Sequence, residues 1–264
     1  MIVRLGADPE VFLCNGRGTV VSVIDRVGGT KENPLQIEGL PPGFTVQEDN
    51  VALEFGIPPA SSKTEWVNSI KLVMASGLAL VKPADNNSIV KFSKLSCTLF
   101  PSKELTHPLA NIFGCDPDYN AWTGVKNPRA VPPEPNMRAA GGHIHVETEE
   151  DPRQCVKALD LFIGVPSVLA DNSQRRQSGY GKAGSMRYKP YGLEYRTPSN
   201  YWIFDEKTMG WIWDQAQNAI NFVMGGSDLE GLSKQIQSCI NTGNKLMAEK
   251  IMSRFNIKGP SNVR

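Results

Sequence analysis

Cysteine and histidine are scarce in this chain of 264 residues, with five of the first and three of the second. Cys14, Cys97, Cys115, Cys155 and Cys239 are odd in number, scattered and free of CxxC spacing. That pattern argues against a disulfide framework or a zinc ribbon and fits a reducing cytosol. Net charge is missing too: 28 Lys and Arg against 27 Asp and Glu leave +1, so no molecule-wide field draws the chain onto nucleic acid or an anionic membrane. Long apolar runs are absent, because Trp66 to Val81 is broken by Asn68, Ser69, Lys71, Ser76 and Gly77, short of the roughly 18 residues of a membrane helix. The first residues lack the apolar stretch of a signal peptide. A cytoplasmic location with no membrane partner is therefore expected. There is no P-loop, Rossmann glycine fingerprint, HExxH or GxSxG, and no internal repeat.

What is present is a globular composition, 40% hydrophobic and 21% charged, long enough to bury a sizeable core. One domain over residues 1–264 is expected. Its start reads as strand, with Asn15-Gly16 as a turn signal and Thr19 to Ile24 as hairpin partner. Residues 46–57 read as a third strand. Ser62 and Glu65 have capping-box spacing, and Trp66, Ile70, Val73 and Met74 recur at helical spacing, which predicts a helix over about 63–80. Residues 101–140, rich in Pro, Asn, Asp and Gly, read as a long irregular excursion with Tyr119, Trp122, Lys126 and Arg129, expected to carry specificity on the general ground that long loops over a scaffold do. Gly142 to Glu147 alternates as a strand. Pro152 to Leu169 has helical spacing disturbed near Pro166, 172–190 reads as a loop, and Gly192 to Thr197 as a strand. A helical part follows over about 205–256. The order predicts an α+β fold with a mostly antiparallel sheet and flanking helices.

Four strand-like segments carry acids or histidines two residues apart, and residues i and i+2 of a strand share a face. They are Asp8 and Glu10; Glu48, Asn50 and Glu54; His143 and His145 behind Gly141-Gly142; and Glu194 with Arg196. Each alone is as compatible with a solvated face, a buried histidine or a salt bridge as with a site. From Arg175 to Arg196 there are six basic residues, Arg175, Arg176, Lys182, Arg187, Lys189 and Arg196, against one acid, Glu194. Interleaved Gly179, Gly181 and Gly184 leave backbone amides accessible, a composition suited to phosphate oxygens. Acids and histidine suit Mg²⁺ and arginines suit phosphate, which points to phosphoryl chemistry on metal-bound ATP.

In order and character these segments resemble the carboxylate-amine ligases of the glutamine synthetase and glutamate-cysteine ligase superfamily, and more narrowly the phage-type COOH.NH2 ligase type 2 family. The likeness rests on Gly6 to Phe12, Gln47 to Asn50 through Glu54-Phe55, Gly142 to His145, Arg175 to Gly184 with Arg187, and Gly192 to Pro198. It implies a curved antiparallel sheet of glutamine synthetase catalytic-domain type and an ATP-dependent, amide-forming ligase working through an acyl phosphate. It implies Mg²⁺ or Mn²⁺ held by Asp8, Glu10, Glu54, His143 and Glu194, with Glu48 or Asn50 as the neighbour of Glu54. His145, Arg175, Arg176, Lys182 and Arg187 would contact nucleotide, and Arg187, Glu194 and Arg196 would serve catalysis. Partners would be a small-molecule or peptide carboxylate and an amine, with nucleic acid only if a modified base is the acceptor; a phage-encoded chain would work in the host cytoplasm. The residues leave three rivals: a zinc hydrolase built on His143 and His145, a non-catalytic phage protein keeping the fold, and phosphorylation of a guanidino group.

Overall fold

The computed structural model describes residues 3–83, 90–112, 118–171, 176 and 179–260. Its strands run β1 Leu5–Val11, β2 Leu13–Asn15, β3 Val20–Val21, β4 Leu35–Gln36, β5 Thr45–Asp49, β6 Ala52–Ala60, β7 Val90–Phe92, β8 Cys97–Leu99, β9 Tyr119–Asn120, β10 Met137–Ala139, β11 Gly142–Glu147, β12 Ser185–Lys189 and β13 Gly192–Tyr195. Eight of these form one sheet in the order β4-β5-β6-β1-β11-β13-β12-β9, and each neighbouring pair is antiparallel. The fold is thus mixed α and β around a large antiparallel sheet.

Alternation sorts the central strands into two faces. Leu5, Ala7, Leu53, Phe55, Ile144, Val146, Leu193 and Tyr195 are buried and belong to one core. Helices α1 (Lys63–Leu80), α2 (Pro152–Leu159) and α4 (Glu206–Met224) pack with these strands and with one another. Trp66 ties two of them together, its indole N–H donating to Met209 O at 2.9 Å. A second core gathers Leu161, Val165 and Val168 with Ile236, Ile240 and Ile251 from α5 (Ser233–Thr242) and α6 (Lys245–Arg254). The opposite face of the sheet carries the acids and histidines.

Capping at α1 differs slightly from the sequence expectation: Ser62 Oγ accepts from Glu65 N at 3.2 Å, but Glu65 reaches back to Ser61 N, at 2.7 Å. The helix from Pro152 is disturbed before Pro166. Residues Asp160–Gly164 form a π turn in which Val165 N bonds back to Asp160 O, and α3 (Val165–Ala170) follows. Pro166 follows directly in this unbroken helical run, where it has no N–H to give the preceding turn, which accounts for the widening just before it.

Three sequence expectations are corrected. Residues 46–57 are a hairpin, because Asn50 takes φ of 58° and begins a two-residue turn, after which Ala52 pairs with Asp49. Asparagine tolerates that left-handed backbone better than most residues. The 172–190 loop contains strand β12, and the 101–140 excursion supplies β9 to the sheet edge and β10 to a separate pair with β8. Among the described residues, no helix is long and apolar enough to cross a membrane.

Candidate active site

The register places the polar residues. Glu10 of β1 stands opposite Glu54 of β6, and Asp8 opposite His143 of β11. His145 stands opposite Glu194 of β13, which in turn faces Arg187 of β12. Directly paired residues in antiparallel strands point to the same side, so the five strands present one continuous row of charge.

Two groups of metal-ligating side chains lie along that row, each with ligand atoms within 4.8 Å of one another: Asp8, His145 and Glu194, and Glu10, Asp49 and Glu54. In the first, His145 Nε2 lies 3.1 Å from Asp8 Oδ2. Burial opposes ionisation of Asp8, but His145 and His143 outweigh it and hold the carboxyl well below its usual range. Burial would likewise lower His145, but Asp8 and Glu194 raise it above the ordinary imidazole value. Tyr191 stacks on the His145 ring, with its hydroxyl 2.8 Å from Nδ1.

Glu194 is fully buried yet ringed by cations. Lys189 Nζ lies 2.7 Å from Oε2, Arg187 Nη1 3.5 Å from Oε1, and Arg196 Nη1 bonds Oε1 directly. Burial and Asp8 push this carboxyl up, but Arg196, His143 and Arg187 prevail and hold it at about 2. At the other end the balance reverses: burial and the Glu10 charge push Asp49 up to about 6, against a hydrogen bond from Glu54 and attraction from His143 and Lys31.

His143 and Tyr180 connect the two groups. The Tyr180 hydroxyl donates to Glu10 Oε1 at 2.9 Å and lies 3.0 Å from His143 Nε2. His143 Nε2 thus contacts the tyrosine oxygen, while Nδ1 lies 3.2 Å from Arg196 Nη1 and 3.4 Å from Asp8 Oδ1. Gly141 N donates to Glu10 Oε2 at 2.6 Å. A side chain at Gly141 would run into His143, its Cβ lying 2.2 Å from Nε2.

Of the residues singled out from sequence, Asp8, Glu10, Glu54, His143, His145, Arg187, Glu194 and Arg196 come together here. Glu48 does not join either acid group. The hairpin turns it to the side of Val46 and Leu53, and its carboxylate instead accepts from the amides of Asp25, Arg26, Val27 and Gly28 at 2.8 to 3.0 Å. Arg176 is buried elsewhere, donating to Gly181 O and Ser167 Oγ, and Lys182 is exposed. Arg175 lies outside the described residues. Asn50, offered as the alternative neighbour of Glu54, donates to Leu109 O and Ile112 O at 3.0 and 2.7 Å.

Sequence reasoning missed Asp49, which takes the place given to Glu48; the Asp-Asn turn signal would have found it. It also missed Asp160, whose carboxylate accepts from Trp122 Nε1, Tyr195 Oη and Thr197 Oγ1 at 2.7, 2.8 and 3.1 Å. No periodicity announces a buried acid in a π turn.

The donor chemistry suits divalent cations. Three carboxylates make a hard oxygen set for Mg²⁺ or Mn²⁺, and two carboxylates with an imidazole make a mixed one. Asp8 Oδ1, His145 Nε2 and Glu194 Oε2, one atom from each member of the mixed group, are buried, and their near neighbours are charged groups of the same row: His143 for Asp8, Asp8 for His145 and Lys189 for Glu194. His143 and His145 are not joined in one ligand group among the described residues, although both lie beside Asp8.

No curated protein matches the chain. Residues 134–251 match the family model of the Phage phiEco32-like COOH.NH2 ligase-type 2, a family whose name describes a carboxylate-amine ligase; the match contains His143, His145, Arg187, Glu194 and Arg196, stops short of Asp8, Glu10, Asp49 and Glu54, and bears out the narrower resemblance, to the phage-type ligases.

Proposed function

We propose that this chain is an ATP-dependent carboxylate-amine ligase, joining a carboxylate and an amine as an amide through an acyl phosphate, on a sheet of glutamine synthetase catalytic-domain type. The observation that carries the reading is the asymmetry of the polar row: one acid group flanked by Arg187, Lys189 and Arg196, the other crowded with carboxylates. In this reading a carboxylate oxygen forms a bond to the γ-phosphorus of ATP and ADP leaves. The amine nitrogen then bonds the acyl carbon, the bond to phosphate breaks, and the amine gives up a proton.

Asp8, His145 and Glu194 would hold one divalent cation, and Glu10, Asp49 and Glu54 a second. Bound there, such ions would neutralise charge on the transferring phosphoryl group. Arg187 and Arg196 lie on the cationic side of Glu194 and would orient and stabilise the phosphate oxygens. Arg196 would also fix the His143 ring, which Tyr180 steadies from the other side. Fixed donors of this kind need no reorganisation as charge moves, which is where their catalytic value lies.

The test is incubation of the purified chain with ATP, Mg²⁺ and host extract, followed by mass spectrometry for a product lighter by one water than its two reactants together, with ADP formed in step. Amide formation without ATP, or ATP-dependent phosphorylation without amide, would overturn the reading.

A further inference from the structure

Beside the Glu10 end of the row lies a cavity of about 440 Å³, within the range of small-molecule sites. Its walls are mainly apolar, with Phe12, Ile24, Leu109, Ile112, Pro132 and Met137 among them. Leu109 and Ile112 are 50% and 60% exposed, so large apolar side chains stand in water at this site. Asn50 pins the short turn that carries them to the β5–β6 hairpin, which fixes this wall relative to the acids.

The charged lining is Glu10, Glu32, Glu48 and Asp49 against Lys31 and Arg138, an excess of acid. Two of these are committed to backbone: Glu48 to four amides, and Arg138 to the carbonyls of Pro135, Met137 and Ala110. Around Glu194, by contrast, three cations gather within 4 Å. Anions are therefore drawn to the Glu194 end and cations to the cavity.

Resting on the ligase reading, we propose that this cavity receives the amine substrate: its ammonium group turned to the Glu10, Asp49 and Glu54 group, where three carboxylates and one divalent cation leave a net charge of −1, and an alkyl or aryl body against Phe12, Ile24 and Met137. The chemistry asks for an amine with a substantial apolar skeleton. Free ammonia would leave the walls unused, and a second carboxylate on the same molecule would meet an acidic lining.

The experiment is calorimetric titration of the full chain, with Mg²⁺ present, against three probes of one shape: 2-phenylethylamine, 2-phenylethanol and 3-phenylpropanoate. The amine is expected to bind at least tenfold more tightly than either of the others. Ala130→Trp, which fills the cavity, and Ile112→Gln, which removes apolar wall, should each weaken the amine at least tenfold while leaving the Mg²⁺-dependent thermal shift in place. Equal or tighter binding of the carboxylate, no binding of the amine at millimolar concentration, or indifference to both variants overturns the proposal. A chain that condenses other substrates with ATP yet ignores these amines loses this inference alone. A chain that binds them but consumes no ATP with any carboxylate loses the ligase reading and keeps an amine-binding cavity.

Discussion

Glu10 of β1 lies directly opposite Glu54 of β6, so two carboxylates face each other across antiparallel strands, with Asp49 in the same group. Like charges in that position destabilise a sheet. A cation that binds the folded chain there should therefore stabilise it. At a hundred times its dissociation constant the gain is about 2.7 kcal/mol, or roughly 5 to 11 °C in Tm for a chain near this size. Calorimetry with and without Mg²⁺ checks this, and Glu54→Gln should cut the shift. The protection should fade as pH falls through about 6, where Asp49 takes up a proton and gives up its place as a ligand. A shift as large at pH 5 as at pH 8 would count against the all-carboxylate group.

Glu194 has the reverse sign. Its carboxyl is held at about 2, below the ordinary 4.5 of a glutamate, so its stabilising share is intact above 4.5 and lost as pH falls towards 2. Glu194→Gln keeps the shape and removes the charge that balances Arg187, Lys189 and Arg196. We expect a loss of turnover of at least a hundredfold and a lower Tm, since breaking a buried ion pair costs about 3 to 5 kcal/mol. Circular dichroism separates the two effects. A folded Glu194→Gln chain with full turnover would remove this residue from the mechanism.

Asp160 supplies a pH signal away from the metal-ligating groups. Burial pushes its carboxyl up to about 6, although Trp122, Tyr195 and Thr197 all donate to it. A folded-state value raised from 3.8 means stability fully present below 3.8 and lost as pH rises through about 6, by about 3 kcal/mol in total. Asp160→Asn cannot ionise, and its NH₂ faces donors, so it should cost about 1 to 3 kcal/mol at pH 5. Denaturant titrations should find that gap narrower at pH 8. A gap independent of pH would show that Asp160 does not titrate in this range.

Much of this site was legible in the sequence because a strand writes its faces into alternate residues. Asp8 with Glu10, His143 with His145, and Glu194 with Arg196 each kept the shared face that i, i+2 spacing predicts. Parity failed where a turn intervened. Counting from Glu54 to Glu48 across Asn50-Val51 assumes unbroken strand, and the hairpin inverts the count, so Asp49 replaced Glu48. The phosphate-side arginines failed for a different reason: a run of basic residues records charge but not direction. Arg187 projects from β12 opposite Glu194, whereas Arg176 turns inward to Ser167. Tyr180 carried no signal at all, because its role comes from a chain segment folding over residues 37 and 170 positions away in sequence.

Tyr180 therefore makes the sharpest single-atom test. Its hydroxyl is shared between His143 Nε2 and Glu10, and Tyr180→Phe removes one oxygen while keeping the ring that packs edge-on to His143 at 6.2 Å between centroids. Without it, Nε2 loses its hydrogen-bond partner, and Glu10 keeps the Gly141 amide but loses the phenol. The penalty for leaving such a group unsatisfied is about 1 to 3 kcal/mol, and in a site that depends on a fixed imidazole we expect turnover to fall about ten- to a hundredfold. A merely structural role would lower Tm and leave the pH profile of turnover in place. A positioning role moves the profile, because the imidazole can then rotate or exchange tautomer, so the profile of Tyr180→Phe against that of the parent chain decides between them.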